Sequence, residues 1–180
     1  MNRYLSVLKD MEMFSEFSDE TLTRISCSLN SEIAHYPKNQ IIHLHNEICY
    51  SADIILSGKV TVQLIDKNGN ILTINTFRQK DVIGPNLMFS ERNFYPMKVI
   101  AESECTIFHM KKELILELAH INDNFLIQFM KIISDNTFIL TDKINAISMK
   151  SIRQAIIDYL NSEYGRQNSL IIQLDMTKKE

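Results

Sequence analysis

The run Ala52-Asp-Ile-Ile-Leu-Ser-Gly-Lys-Val-Thr-Val-Gln-Leu-Ile-Asp-Lys-Asn-Gly-Asn-Ile-Leu-Thr-Ile-Asn-Thr-Phe77 constrains this chain more than any other segment. Ile54, Ile55 and Leu56 lead into Ser57-Gly58. Val60, Val62 and Leu64 then alternate with Thr61 and Gln63, and Asn68-Gly69 precedes Leu72, Ile74 and Thr76. Alternation at a period of two is the signature of a strand with one buried face, and glycine at the breaks supplies turn geometry. The run predicts strand, glycine turn, strand, glycine turn, strand. That is the core of a β-roll and not of a helical bundle.

A chain of 180 residues at 45% hydrophobic and 23% charged has room for one core plus an appendage. Its formal net charge of -3 argues against the chain as a whole binding nucleic acid electrostatically, because displacing counterions from phosphates needs a basic face. No stretch approaches the roughly 18 consecutive apolar residues of a membrane span. The start, Asn2, Arg3, Tyr4, Leu5 and then Lys9 and Asp10, lacks the apolar centre of a signal peptide, so the expected address is the cytoplasm and no membrane contact is expected. Cys27, Cys49 and Cys105 are too few and too scattered for a disulfide framework or a CxxC metal site, and are expected to be small buried hydrophobes or inert thiols.

From Asp123 the apolar period changes. Leu126, Met130, Ile133, Thr137, Leu140, Ile144 and Ile147 recur at spacings of four and three, a heptad-type seam. A second stripe, Phe125, Phe129, Ile132, Asn136, Ile139, Lys143 and Ala146, runs beside it. A helix apolar over so wide an arc needs cover on two sides, one from the roll and one from a second partner. A parallel homodimer through Leu126, Met130, Ile133, Thr137, Leu140 and Ile144 supplies it; a plain core helix of a monomer is the alternative. Ser148 to Ser151 interrupts the seam, and Ser151-Ile-Arg-Gln-Ala-Ile-Ile-Asp-Tyr-Leu160 is expected to start a fresh helix that Gly165 ends. Leu170 to Leu174 reads as a short strand, and Thr177 with Glu180 three positions on reads as the capped start of another helix.

Taken in order, these segments resemble the Crp/Fnr transcription regulators. The resemblance rests on strand-Ser57-Gly58-Lys59-Val60, on Lys80-Asp81-Val82-Ile83-Gly84, and on Phe14, Phe17 and Leu22 as N-terminal helices. Tyr36 to Ile42 stands as the first roll strand, with Asn39 where the family usually has Gly, and Ile100 to Met110 as the closing strand. It implies an α+β fold: a double-stranded β-helix, jelly-roll-like, flanked by N-terminal helices and followed by a long dimerisation helix. The implied domains are a cyclic-nucleotide-binding-like sensor over 1–122, a dimerisation helix over 123–148 and the start of a winged helix-turn-helix over 149–180. A helix-turn-helix reads DNA with its second helix, which this sequence does not contain. The chain is read either as cut just before the DNA-reading helices or as a natural product lacking them, and Lys178 and Lys179 as solvated charges. The family's iron-sulfur cysteine spacing is missing.

Residues 84–101 resemble the family's phosphate-binding cassette in length and framing. In cyclic-nucleotide binders Gly-Glu opens this cassette and Arg-Ser or Arg-Thr closes it; the carboxylate holds the ribose hydroxyl, and the guanidinium and backbone N–H groups neutralise the phosphate. Here those places hold Pro85, Tyr95 and Pro96. Their loss removes charge-assisted contacts of about 1.5 to 3 kcal/mol each, and Pro96 offers no N–H. No response to cyclic AMP or GMP is therefore expected. Arg92 lies three positions early and would need a register shift to serve. The remaining residues, Leu87, Met88, Phe89, Phe94, Tyr95 and Met97, describe either a site for a less charged effector or a filled roll interior. The candidate effector contacts are Gly84, Pro85, Asn86, Leu87, Tyr95, Pro96 and Met97, placed where the cassette meets the dimer helix.

The enzyme-class rival is a cupin-like metal site, since His43 and His45 on a strand share one face with Glu47 nearby. The spacing from His45 to Glu47 is too short for that pattern, and His35, His109 and His120 read as isolated. No metal, no cofactor and no catalysis is expected: no nucleophile elbow or glycine-rich phosphate loop is present. The sequence therefore predicts the effector-sensing and dimerising part of a cytoplasmic, bacterial Crp/Fnr-type regulator, with DNA met through a region beyond this chain. A free-standing ligand- or protein-binding roll without a DNA role is the alternative.

Overall fold

A computed structural model describes residues 3–65 and 71–167. The chain divides into two compact units, Met1–Asn136 and Thr137–Glu180. The turn at Asn68-Gly69, the strand pattern over 170–174, the helix start at Thr177 and the pair Lys178 and Lys179 lie outside the described residues.

In the first unit, α1 (Arg3–Lys9), a 3-10 turn (Glu12–Phe14) and α2 (Asp19–Ser26) precede the roll. Ser18 caps α2, its hydroxyl accepting the Thr21 N–H at 3.2 Å. The roll comprises β1 (Ser31–Tyr36), β2 (Ile41–His43), β3 (Ser51–Ser57), β4 (Val60–Ile65), β5 (Ile71–Phe77), β6 (Val82–Ile83), β7 (Lys98–Ala101) and β8 (Cys105–Lys111), with the short α3 (Pro85–Met88) between β6 and β7. Two four-stranded antiparallel sheets result, ordered β1-β8-β3-β6 and β2-β7-β4-β5. This is the double-stranded roll that the alternation predicts.

Three details differ from the sequence reading. Ser57-Gly58 does not turn a hairpin: β3 and β4 belong to different sheets, so Gly58 marks the corner where the chain crosses between them. Its φ of 90° is open to glycine, and a Cβ there would lie 2.3 Å from the Glu104 carbonyl oxygen. β4 and β5 do pair as antiparallel neighbours, with Val60 opposite Phe77 and Ile65 opposite Ile71. The expected closing strand over 100–110 is two strands, broken at 102–104, where the Glu102 N–H reaches the Lys59 carbonyl at 2.8 Å. The expected first strand over 36–42 also breaks, between β1 and β2. Asn39 takes a left-handed φ of 69° there and donates its N–H to the Ala101 carbonyl at 2.7 Å, which explains how Asn serves where the family usually has Gly.

Leu8, Met13, Phe14 and Leu22 from the N-terminal segment pack with Ile54, Leu56, Phe108 and Met110 in one continuous core. α4 (Lys112–Ile121) adds Leu114, Ile115 and Leu118. The last helix, α5 (Asp123–Gln167), spans 45 residues without interruption. The expected break at Ser148 to Ser151 and the expected end at Gly165 are corrected: serine is a mediocre helix former and glycine costs about 1 kcal/mol, but neither removes a backbone donor as proline would. At its start, Phe125 and Phe129 are buried while Leu126 and Met130 on the next stripe are 39% and 59% exposed. Ile133 is half-buried against the core, Thr137 is exposed, and the side chains of Leu140 and Ile144 lie outside the described set. No helix among the described residues is long and apolar enough to cross a membrane.

Candidate functional site

Strand β3 is buried from Ser51 through Leu56 and carries one ionisable residue, Asp53, at 1% exposure. Antiparallel register sets Asp53 opposite His109 of β8. Asp53 also meets His43 of β2, in the other sheet, so its side chain points between the sheets into the roll. His109 Nδ1 lies 2.6 Å from Asp53 Oδ1 and His43 Nε2 lies 2.5 Å from Oδ2. The Ser51 hydroxyl donates to Oδ1 at 2.6 Å, and the Tyr95 hydroxyl donates to Oδ2 at 3.3 Å. The carboxylate's lone pairs are thus taken up by four partners, as a buried charge requires.

The outer nitrogens of both imidazoles are occupied as well. His109 Nε2 is 3.0 Å from the Tyr36 hydroxyl, and His43 Nδ1 is 3.4 Å from Glu47 Oε1. Glu47 is itself held by the Leu44 N–H at 2.7 Å. The ring of Tyr95 stacks on His43, with centroids 4.1 Å apart.

Burial alone would raise the Asp53 pKa, but the hydrogen bonds from His109 and His43 overcome it and hold the carboxyl well below the usual range. Burial would lower His43; the bond and charge of Asp53, with Glu47 behind, raise it instead. Tyr95 is pushed far up by burial and then by the Asp53 charge, so its hydroxyl stays a donor. Tyr36 is raised to about 12 for the same two reasons, and burial raises the Cys49 thiol. The arrangement binds a fixed negative charge inside the roll and surrounds it with donors.

The seven candidate effector contacts do not converge. Gly84 caps α3 at a φ of 86°, and a Cβ on it would lie 2.9 Å from the Ser51 carbonyl, 3.0 Å from Cys49 Sγ and 3.2 Å from the Tyr95 hydroxyl. Gly84 and Tyr95 are buried beside the Asp53 cluster and Pro85 is buried at the start of α3, whereas Asn86 and Leu87 are half-buried and Pro96 is exposed. Met97 lines a separate cleft of about 240 Å³ with His45, Gln63, Leu64 and Lys98. Arg92 is exposed, its backbone N–H held by Ser90 Oγ at 3.1 Å. Phe89, at the end of α3, does meet α5, its ring 6.1 Å from that of Phe129.

Among the histidines, the shared face of His43 and His45 is corrected. β2 ends at His43, Asn46 turns the chain at a φ of 64°, and His45 faces the Met97 cleft. His109, read as isolated, is the neighbour His43 actually finds. Asp53 was missed altogether. Its signal was present, a lone charge inside the run Ala52-Asp53-Ile54-Ile55-Leu56, since an unpaired carboxylate is not tolerated there.

The cyclic nucleotide-binding domain model matches residues 33–122, half of the 180-residue chain. The chain belongs to the cyclic nucleotide-binding domain family. Among curated proteins, no sequence matches it. Solved structures are similar in fold. A transcriptional regulator of Thermotoga maritima is 21% identical, with a TM-score of 0.61 over 67% of this chain and 93% of that one. The sensor domain of the transcriptional regulator DNR from Pseudomonas aeruginosa is 16% identical, with a TM-score of 0.58 over 73% and 91%. A cyclic nucleotide-binding domain from Methylobacillus flagellatus is 18% identical, with a TM-score of 0.62 over 80% and 82%.

Proposed function

We propose that this chain is the effector-sensing and dimerising part of a cytoplasmic Crp/Fnr-type transcription regulator that does not respond to cyclic AMP or GMP. The observation that carries the loss of nucleotide response is Tyr95. It occupies the cassette position of the phosphate-binding Arg, and its buried ring stacks on His43 beside the Asp53 carboxylate. A cyclic phosphate brought there would meet a fixed negative charge and no guanidinium, with Pro85 where the ribose-binding carboxylate belongs. The regulator reading is supported by neighbours described as transcriptional regulators. Dimerisation is supported by Leu126 and Met130, exposed on α5 one step round from the buried Phe125 and Phe129. The link from roll to helix runs through Phe89 and Phe129.

Equilibrium dialysis against radiolabelled cyclic AMP and cyclic GMP tests the effector half of this reading, and sedimentation of the same sample tests the dimer. No saturable uptake at millimolar nucleotide and a dimer at micromolar protein are expected. Saturable micromolar binding of either nucleotide, or a monomer throughout, would overturn the corresponding half. Deleting the gene in its source organism is expected to change a defined set of transcripts; an unchanged profile across growth conditions counts against the regulator reading.

A further inference from the structure

We propose that His43, Asp53 and His109 form a binding site for one first-row divalent transition cation inside the roll, with His43 Nε2, His109 Nδ1 and an Asp53 carboxylate oxygen as ligands. The three ligand atoms lie within 4.8 Å of one another and are brought together from β2, β3 and β8. Metal–nitrogen and metal–oxygen bonds of about 2.0–2.2 Å hold neighbouring ligand atoms about 3–3.5 Å apart. The contacts of 2.5 and 2.6 Å that join Asp53 to the imidazoles would have to open by only about an ångström or less.

The outer contacts are those that a metal site needs, since a metal-bound imidazole hands its second N–H to an oxygen that fixes its tautomer and orientation. Both such oxygens are in place. Glu47 Oε1 stands 3.4 Å from His43 Nδ1, and the Tyr36 hydroxyl stands 3.0 Å from His109 Nε2. The Leu44 N–H pins Glu47 in turn, at 2.7 Å, and Ser51 Oγ orients Asp53 at 2.6 Å. Charge also balances, since Asp53 and Glu47 together offset a divalent ion as it displaces the protons now shared with Asp53. Two imidazoles and one carboxylate suit zinc, ferrous iron, cobalt or nickel, and do not suit calcium or magnesium, which take oxygen sets. The His43 and His109 side chains are 12% and 13% exposed, so the cluster is not sealed from solvent and an ion has a way in. The site stands apart from the effector and dimer readings above and does not require either.

The test uses the full chain stripped with a chelator and dialysed. Cobalt(II) is titrated in while its d–d absorption is followed, and zinc(II) affinity is then measured by competition with a chromophoric chelator. One equivalent per chain is expected, abolished in His43→Gln and His109→Gln and unchanged in His45→Ala. Glu47→Gln, which alters an exposed outer partner, is expected to weaken binding about 10–100-fold. Circular dichroism checks that each variant folds; if the histidine variants do not, the Glu47 variant and the wild-type stoichiometry decide. No saturable uptake by the wild type overturns the site, as does binding that His45→Ala removes or that Glu47→Gln leaves unchanged.

Discussion

The ring of Tyr95 lies parallel to the imidazole of His43, centroids 4.1 Å apart and planes inclined by 10°, while its hydroxyl reaches Asp53 Oδ2 at 3.3 Å. One side chain from the segment between α3 and β7 therefore closes over a buried ion pair inside the roll.

Tyr95→Phe keeps the stack and loses the 3.3 Å hydrogen bond to Asp53 and the contact of the hydroxyl with the Cys49 thiol. A loss of about 0.5–1.5 kcal/mol is expected from urea denaturation. Tyr95→Ala removes a ring that is 2% exposed, and about 3–5 kcal/mol is expected, as for other buried aromatics. A Tyr95→Ala protein as stable as Tyr95→Phe would mean that the ring does not fill the core.

Asp53→Asn preserves volume and removes the charge, leaving His43 and His109 against a neutral amide whose NH₂ can face a ring N–H. Breaking a buried pair from one side costs about 3–5 kcal/mol. The comparison belongs in buffer with chelator, so that only the protein's own contacts are measured. A loss below about 1 kcal/mol would show that the network adds nothing to the fold.

How much of this was legible in the sequence differs by element. The roll was legible because alternation at Val60, Val62 and Leu64 reports a strand directly, whereas Asn39, read as lying inside one strand, takes the left-handed φ that separates β1 from β2. Which strands pair was not legible: β3 and β4 are consecutive, yet each pairs within its own sheet, so a glycine corner and a glycine hairpin look alike in sequence. The Asp53 cluster was hidden for a related reason. His43, Asp53 and His109 come from three strands, and only the register of Asp53 opposite His109 brings them together. The His43 and His45 spacing drew the eye because it was local, but it failed because β2 stops at His43. In α5 the serines near position 150 suggested a boundary, whereas the helix continues because backbone hydrogen bonding is lost only at proline.

Gly58→Ala tests the corner between the sheets. The φ of 90° is strained for any L side chain, and the new methyl would sit 2.3 Å from a backbone oxygen that has no rotamer to yield. A cost of at least about 1–3 kcal/mol is expected in thermal or urea unfolding. The exposed turn position Lys38→Ala serves as a comparison with an effect within about 0.5 kcal/mol. A Gly58→Ala protein that unfolds with the wild type would mean that the crossing can be made by another backbone path.

The two stripes at the start of α5 are expected to separate folding from association. Phe125 is 0% exposed and packs 5.7 Å from Phe14, 6.1 Å from Phe17 and 6.1 Å from Phe129. Phe125→Ala is therefore expected to cost about 3–5 kcal/mol of stability. Leu126 and Met130 are 39% and 59% exposed, so replacing both with Glu leaves the core of Met1–Asn136 untouched. If a second copy covers them, two desolvated carboxylates per chain would disfavour that contact strongly. Sedimentation velocity is expected to show the Leu126→Glu, Met130→Glu protein as a monomer, with circular dichroism and unfolding midpoint close to those of the wild type at low concentration. A double variant that remains dimeric would place the dimer contact elsewhere on the chain, and one that unfolds would mean that this stripe belongs to the core of the single chain.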